Sequence, residues 1–171
     1  MTVAELSSLP EAELHEALTA CCGAPDWVRA TAASRPWASP DALLAAAERA
    51  WQGLSPAQRA QAVAHHPRLG ESRAAAEVSA RANAWSAGEQ AGTRTADDAV
   101  RTALAEGNRR YEERFGHTFI LCASGLSAER MLEALRSRLG NDPATELEVT
   151  AHELWRITRL RLEKLVADPR P

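Results

Sequence analysis

The stretch LEVTAHELWRITRLRLEKL, residues 147–165, decides the fold class, because its apolar residues recur with the period of an α-helix. Arg156, Arg159 and Glu163 fall on one side of this predicted helix, and Arg161 falls on the other. The side that holds Arg161 also carries the aliphatic residues Leu147, Leu154, Ile157 and Leu165. The pattern therefore predicts an amphipathic helix that turns a single arginine toward the protein core.

The remainder of the chain carries repeated signals for helix beginnings. A side-chain oxygen precedes a proline at Ser39-Pro40, Ser55-Pro56 and Asp142-Pro143, and Thr95 and Ser127 are predicted as further N-caps. Helices are predicted over 10–20, 25–34, 40–52, 56–66, 78–91, 96–115, 128–139 and 143–166. We interpret the apolar run TFILCAS, 118–124, as a buried extended segment, because no second strand is available to pair with it. The prediction is an all-α protein in which residues 1–171 form a single compact domain of about eight helices.

Composition narrows the range of functions. The 171 residues are 45% hydrophobic and 25% charged, with a net charge of −3, so a basic nucleic-acid-binding surface is not expected. No window of about 18 apolar residues occurs, and the N-terminus carries acidic residues where a secretory signal would carry basic ones. Three cysteines without metal-ligand spacing are typical of a reduced protein. We therefore expect a cytoplasmic protein that contacts neither membrane nor nucleic acid.

Two charged side chains occupy apolar faces of predicted helices. Arg161 is one, and Glu89, four residues after Trp85, is the other. A buried guanidinium requires a partner, and a carboxylate on an apolar face either forms an ion pair or acquires a raised pKa suited to acid–base work. A paired core arginine and an ion-paired helix-end glutamate are the structural alternatives, and the sequence leaves both open.

Two adjacent histidines, His65 and His66, end a predicted helix just before Pro67. Adjacent histidines on a helix point about 100° apart and cannot share a metal as an i, i+4 pair does. A histidine at a helix end can also serve only as a partner of the helix dipole. No glycine-rich phosphate loop or nucleophile elbow is found. An inward arginine, an inward glutamate and a fixed histidine suit a small anionic substrate that needs proton transfer without metal or cofactor.

Six motifs together resemble one protein family. They are LPEAELHEALTACCGAPDWV, HHPRLGE, SAGEQAG, NRRYEERFGHTFILCASG, RLGND and RITRLRL, in this order along residues 5–166. The chain resembles the 2-oxo-4-hydroxy-4-carboxy-5-ureidoimidazoline (OHCU) decarboxylase family, which completes the conversion of urate to (S)-allantoin. The resemblance implies an all-helical homodimer that uses neither metal nor organic cofactor.

The resemblance also implies roles for individual residues. His66 matches the catalytic histidine, Glu89 its partner carboxylate, and Arg161 the arginine that anchors the substrate. Further substrate contacts correspond to Pro67, Ser86, Gln90 and the backbone of Phe119, Ile120, Leu121, Cys122 and Ala123. Two positions depart from the family pattern: Arg68 stands where an acidic residue is frequent, and His117 replaces an aromatic residue.

Two other functions are compatible with these residues. One is a helical binding protein that keeps the fold without the activity, and the other is a lyase or hydrolase that acts on a related ureido acid. The first predicts replacement of His66 or Glu89, and both are present. The second can be separated from OHCU decarboxylation only by a panel of substrates.

Overall fold

The structure, a computed structural model, describes residues 1–64, 66, 85 and 97–167. These residues contain helices and no strand. The helices are α1 (Val3–Ser8), α2 (Glu11–Cys21), α3 (Pro25–Ala33), α4 (Pro40–Gln52), α5 (Pro56–Ala64), α6 (Asp98–Phe115), α7 (Ala128–Arg138) and α8 (Pro143–Ala167). The predicted all-α class is confirmed. The short helix α1 was not predicted, and the predicted helix 78–91 lies outside the described residues, apart from Trp85.

Side-chain caps fix where several helices begin. The Ser39 hydroxyl accepts a hydrogen bond from the Ala42 N–H at 3.1 Å, and the Ser127 hydroxyl accepts one from the Arg130 N–H at 3.4 Å. Thr95, the predicted cap of this helix, lies outside the described residues, and the cap of α6 in the structure is Asp97. Its carboxylate accepts a hydrogen bond from the Val100 N–H at 2.8 Å and satisfies a donor that the first turn leaves unpaired.

The chain forms two compact units. The first comprises Met1–His65 and Trp155–Pro171, and the second comprises His66–Leu154. In the first unit, α2 packs against α3 and α3 against α4. The fully buried Trp27 donates its indole N–H to the Ala47 carbonyl at 3.0 Å, which ties α3 to α4.

The second unit is built around the packing of α6 against α7. The buried side chains of its core are Leu104, Tyr111, Phe119, Ala123, Ala128, Met131, Leu132 and Leu135. The two helices pack tightly at Gly107, where an added Cβ would lie 2.5 Å from Cδ2 of Leu135 and 3.2 Å from its Cγ. Because Leu135 is fully buried, it has little room to move away.

We therefore expect Gly107→Ala to destabilise the protein, although alanine is the better helix former. Overpacking costs about 1–3 kcal/mol, whereas the higher helix propensity of alanine stabilises by about 0.8–1 kcal/mol. The expected net decrease in the free energy of unfolding is therefore up to about 2 kcal/mol. Urea unfolding measures the difference. Gly53→Ala is the matched control, because its added Cβ would meet only ordinary contacts of 3.4 Å or more. Equal stability of the two variants would contradict the close packing at Gly107.

Candidate active site

The described residues include part of the predicted site. Arg161 belongs to the first unit, whereas His66 and the segment Phe119–Ala123 belong to the second. Helix α5 ends at Ala64, and His66 follows at a bend with its side chain half-buried. The other predicted site residues lie outside the described residues: Pro67, Ser86, Glu89 and Gln90.

Helix α8 turns Arg161 inward, as its sequence pattern predicts. Arg161 is 5% exposed, whereas Arg156 and Arg159 are exposed to solvent. The Arg159 side chain donates a hydrogen bond to the Glu163 carboxylate at 3.0 Å on the outer face of the helix. The prediction that Arg161 is the inward-facing arginine of this helix is therefore confirmed.

A neutral thiol lies in the electrostatic environment of Arg161. Burial raises the pKa of the Cys22 thiol, and this effect outweighs a backbone hydrogen bond at Ala24, the hydrogen bond with Thr158 and the positive charge of Arg161, all of which lower it. At neutral pH Cys22 is therefore protonated. The thiol therefore does not neutralise the charge of the guanidinium.

The segment Phe119–Ala123 has neither helical nor strand structure, and most of it is buried. Phe119 and Ile120 are each 1% exposed, Cys122 and Ala123 are buried, and Leu121 is half-buried. Arg138 Nη1 donates to the Ile120 carbonyl at 2.6 Å, and the Cys122 N–H donates to Oε2 of Glu153 at 2.7 Å. The prediction of a buried segment outside the helices is confirmed for most of residues 119–123, whereas Ser124, the last residue of the predicted run, is exposed. Buried charged side chains hold the backbone of the segment.

Arg138 is the centre of a buried polar cluster, the Arg138 cluster, which also contains Tyr111, Asn141, Glu146 and Thr150. Arg138 donates to Oε1 of Glu146 from Nε at 2.8 Å and from Nη2 at 2.5 Å. Nη2 also donates to the Thr150 hydroxyl at 2.9 Å and to the Tyr111 hydroxyl at 3.3 Å. Tyr111 and Asn141 donate to the Glu146 carboxylate as well. The cluster satisfies the guanidinium and the carboxylate together, which makes their burial tolerable.

The cluster keeps Glu146 ionised although its side chain is fully buried. Burial alone would raise the pKa of Glu146, but hydrogen bonds from Arg138, Tyr111 and Asn141 and the charge of Arg138 bring that pKa below its usual range. Burial and the hydrogen bond to Glu146 raise the pKa of Tyr111, so its hydroxyl remains a donor. The cluster is therefore a stable ion pair at neutral pH.

This depressed pKa predicts a pH dependence of stability. Because Glu146 is ionised more readily in the folded than in the unfolded chain, its contribution is present above the unfolded value, near 4.5, and is lost as the pH falls through the lower folded value. We expect the free energy of unfolding to decrease with acid more steeply in the wild type than in Glu146→Gln. Urea unfolding at several pH values tests this, with Glu148→Gln, an exposed position on α8, as the control. Parallel pH profiles for wild type and Glu146→Gln would contradict it.

The family model for OHCU decarboxylase matches residues 7–163, nearly the whole chain. The chain belongs to the OHCU decarboxylase family. A crystal structure of an OHCU decarboxylase in the presence of (S)-allantoin superposes with a TM-score of 0.75 at 28% identity, covering 90% of this chain and 99% of that one.

Of two relatives of this family member, one is named for uric acid degradation and the other for OHCU decarboxylation. The chain is 32% identical over 148 residues to the uric acid degradation bifunctional protein TTL of Arabidopsis thaliana, covering 86% of this chain and 46% of the plant protein. It is 36% identical over 80 residues to a 2-oxo-4-hydroxy-4-carboxy-5-ureidoimidazoline decarboxylase of Amia calva, covering 47% and 46% of the two chains. The matched region thus spans about half the length of each of these relatives.

Three buried charged residues of this OHCU decarboxylase family member were missed by the sequence analysis. They are Arg138, Glu146 and Glu153. The signal was present, because Arg138 continues the apolar face of Met131 and Leu135 on α7 at helical spacing. Glu146 and Glu153 lie seven residues apart, close to two whole turns of α8, so they share one face of that helix.

Two further features concern cofactors and membranes. Among the residues that the structure describes, no three or more His, Cys, Asp or Glu side chains are grouped so that they could hold a metal ion. None of the helices in the described ranges combines the length and apolar character needed to cross a membrane. The three cysteines, Cys21, Cys22 and Cys122, are buried and not disulfide-bonded.

Proposed function

We propose that the protein is a carboxy-lyase that converts OHCU to (S)-allantoin in urate degradation. The observation that carries this proposal is the match along nearly the whole chain to the OHCU decarboxylase family. The similarity to an OHCU decarboxylase crystal structure obtained with (S)-allantoin supports the same substrate class. We further propose that residues 1–171 act as one OHCU decarboxylase-like domain, that the protein is a cytoplasmic homodimer, and that it needs no cofactor.

The substrate itself supplies the electron sink for this reaction. The carbon that carries the carboxylate of OHCU also carries a hydroxyl and adjoins a ring C=N bond. When the bond to the carboxylate breaks, CO2 leaves and the electron pair moves into the C=N group, which gives an enol and an anionic ring nitrogen. The hydroxyl proton passes to that nitrogen as the enol becomes a carbonyl, and one further proton adds at the former C=N carbon to give allantoin. The protein must therefore hold the anion, orient the leaving carboxylate and deliver one proton to one face of the ring.

Three residues are proposed to divide this work. Arg161 holds the anionic substrate, since its guanidinium is buried and matches a carboxylate in shape and charge. His66 is the acid–base group, and its half-buried position after α5 suits a side chain at a pocket wall. Glu89 orients the histidine or the substrate hydroxyl. Pro67, Ser86, Gln90 and the backbone of Phe119–Ala123 complete the proposed contacts.

Circular dichroism of allantoin tests the proposal directly. Urate is converted in the cuvette by urate oxidase and 5-hydroxyisourate hydrolase, with and without this protein. We expect rapid growth of the (S)-allantoin signal only when the protein is present. Slow formation of racemic product, equal to the spontaneous reaction, would overturn the proposed activity and leave the family membership standing.

A further inference from the structure

Two buried side chains of opposite charge flank Leu121 in the segment Phe119–Ala123. Arg138 binds the Ile120 carbonyl at 2.6 Å, and Glu153 binds the Cys122 N–H at 2.7 Å. The first bond fixes the peptide before Leu121, and the second fixes the peptide after it. The orientation of both peptide planes is therefore set by hydrogen bonds to charged groups, which are stronger than neutral ones.

The geometry of a trans peptide determines where Leu121 presents its own polar groups. The N–H and C=O of one trans peptide point in opposite directions, and both of these peptides are trans. Because Arg138 holds the Ile120 carbonyl, the Leu121 N–H points away from Arg138. Because Glu153 holds the Cys122 N–H, the Leu121 C=O points away from Glu153. Leu121 is also the half-buried residue of this otherwise buried segment.

We propose that Glu153 is a positioning residue that orients the Leu121 N–H and C=O as a donor–acceptor pair for the ureido group of the substrate. A ureido group carries both N–H donors and a carbonyl acceptor, so a backbone donor and acceptor on one residue complement it. This inference rests on the proposed function. It assigns to Glu153 a role that neither the sequence motifs nor the family resemblance assigns.

The two anchoring residues differ in their relation to the Arg138 cluster. Arg138 belongs to the cluster with Glu146, and replacing it disturbs the core of the second unit. Glu153 lies on α8, 8% exposed, and its carboxylate reaches the segment directly. Glu153 is therefore the position at which the orientation of this segment can be changed with the Arg138 cluster left intact.

Four variants separate a positioning role from a structural one. Glu153→Ala removes the acceptor, and Glu153→Asp keeps the charge but shortens the side chain by one methylene. Glu153→Gln retains an acceptor oxygen at the original length. Glu148→Ala, at an exposed position on the same helix, is the matched control. KM and kcat for OHCU are measured in the coupled dichroism assay, and helical dichroism gives the folded fraction.

We expect Glu153→Ala and Glu153→Asp to raise KM about 10- to 100-fold, as two misaligned hydrogen bonds to substrate predict. Glu153→Gln is expected to recover most of this loss, and Glu148→Ala to match the wild type. A purely structural role would lower the apparent kcat through the folded fraction and leave KM unchanged. If Glu153→Ala fails to fold, Glu153→Asp and Glu153→Gln carry the same comparison.

The outcomes distinguish this inference from the proposed function. An active wild type with unchanged KM in Glu153→Ala and Glu153→Asp would overturn the role of Glu153 and leave the decarboxylase standing. A KM for Glu153→Gln as high as that for Glu153→Ala would overturn the hydrogen-bonding role as well. An inactive wild type would overturn the proposed function, and the role of Glu153 would fall with it.

Discussion

His66→Gln is expected to lower kcat/KM for OHCU by about 10²- to 10⁴-fold, because glutamine can form hydrogen bonds but cannot transfer a proton at neutral pH. Such a loss corresponds to about 2.7–5.5 kcal/mol of transition-state stabilisation. His66 follows the end of α5 at a half-buried position, so the substitution leaves the packed helices in place. The coupled dichroism assay measures the rate of (S)-allantoin formation by the variant.

The control for this variant is His152→Gln, which makes the same chemical change at an exposed position on α8. We expect its activity to match that of the wild type. Thermal unfolding of both variants shows whether the loss of activity arises from chemistry or from stability. A His66→Gln enzyme with a rate near that of the wild type would contradict the assignment of the proton donor, whatever its stability.

Local signals in the sequence account for most of the helices. Proline at the first helical position and a preceding side-chain oxygen predict the beginnings of α4, α5 and α8, and the structure agrees. These signals act within one turn, so they can be read without knowledge of the tertiary structure. Helix α1 was missed because its six residues are too few to show a helical repeat, although Thr2 and Glu5 form a capping box.

The Arg138 cluster could not be assembled from sequence, because its partners lie far apart along the chain. Tyr111 contacts Glu146 across 35 residues, and Arg138 reaches Ile120 across 18. Helical periodicity indicates which side chains turn inward, but it does not indicate which of them meet. Burial of Arg161 could be predicted because the helical pattern of its own segment places it on the apolar face. The partners that compensate for the burial of Arg138 can be identified only when α6, α7 and the part of α8 up to Leu154 are placed together in the second unit.

Arg138→Met is expected to destabilise the protein by about 3–5 kcal/mol, because removal of one partner leaves a buried charge without compensation. Methionine fills much of the volume of the arginine stem, so the loss comes mainly from the polar contacts. Glu146, fully buried, would lose its cation, and the Ile120 carbonyl would lose its donor. Urea unfolding of the variant and of the wild type at neutral pH measures the difference in the free energy of unfolding.

The matched control is Arg136→Met, the same substitution two residues earlier on α7 at an exposed position. Surface substitutions of this kind usually change stability by less than about 0.5 kcal/mol. A loss of stability in Arg138→Met no larger than in Arg136→Met would contradict the energetic importance of the cluster.

The double variant Arg138→Met with Glu146→Leu distinguishes an uncompensated charge from lost packing. If the unpaired Glu146 carboxylate causes most of the damage, removing it should recover part of the stability, and the double variant should be more stable than Arg138→Met alone. Recovery should be incomplete, because the Tyr111 hydroxyl and the Ile120 carbonyl would still lack their Arg138 partner. A loss in the double variant equal to the sum of the losses in Arg138→Met and in Glu146→Leu would instead mean that Arg138 and Glu146 stabilise the second unit independently, through packing rather than through their ion pair.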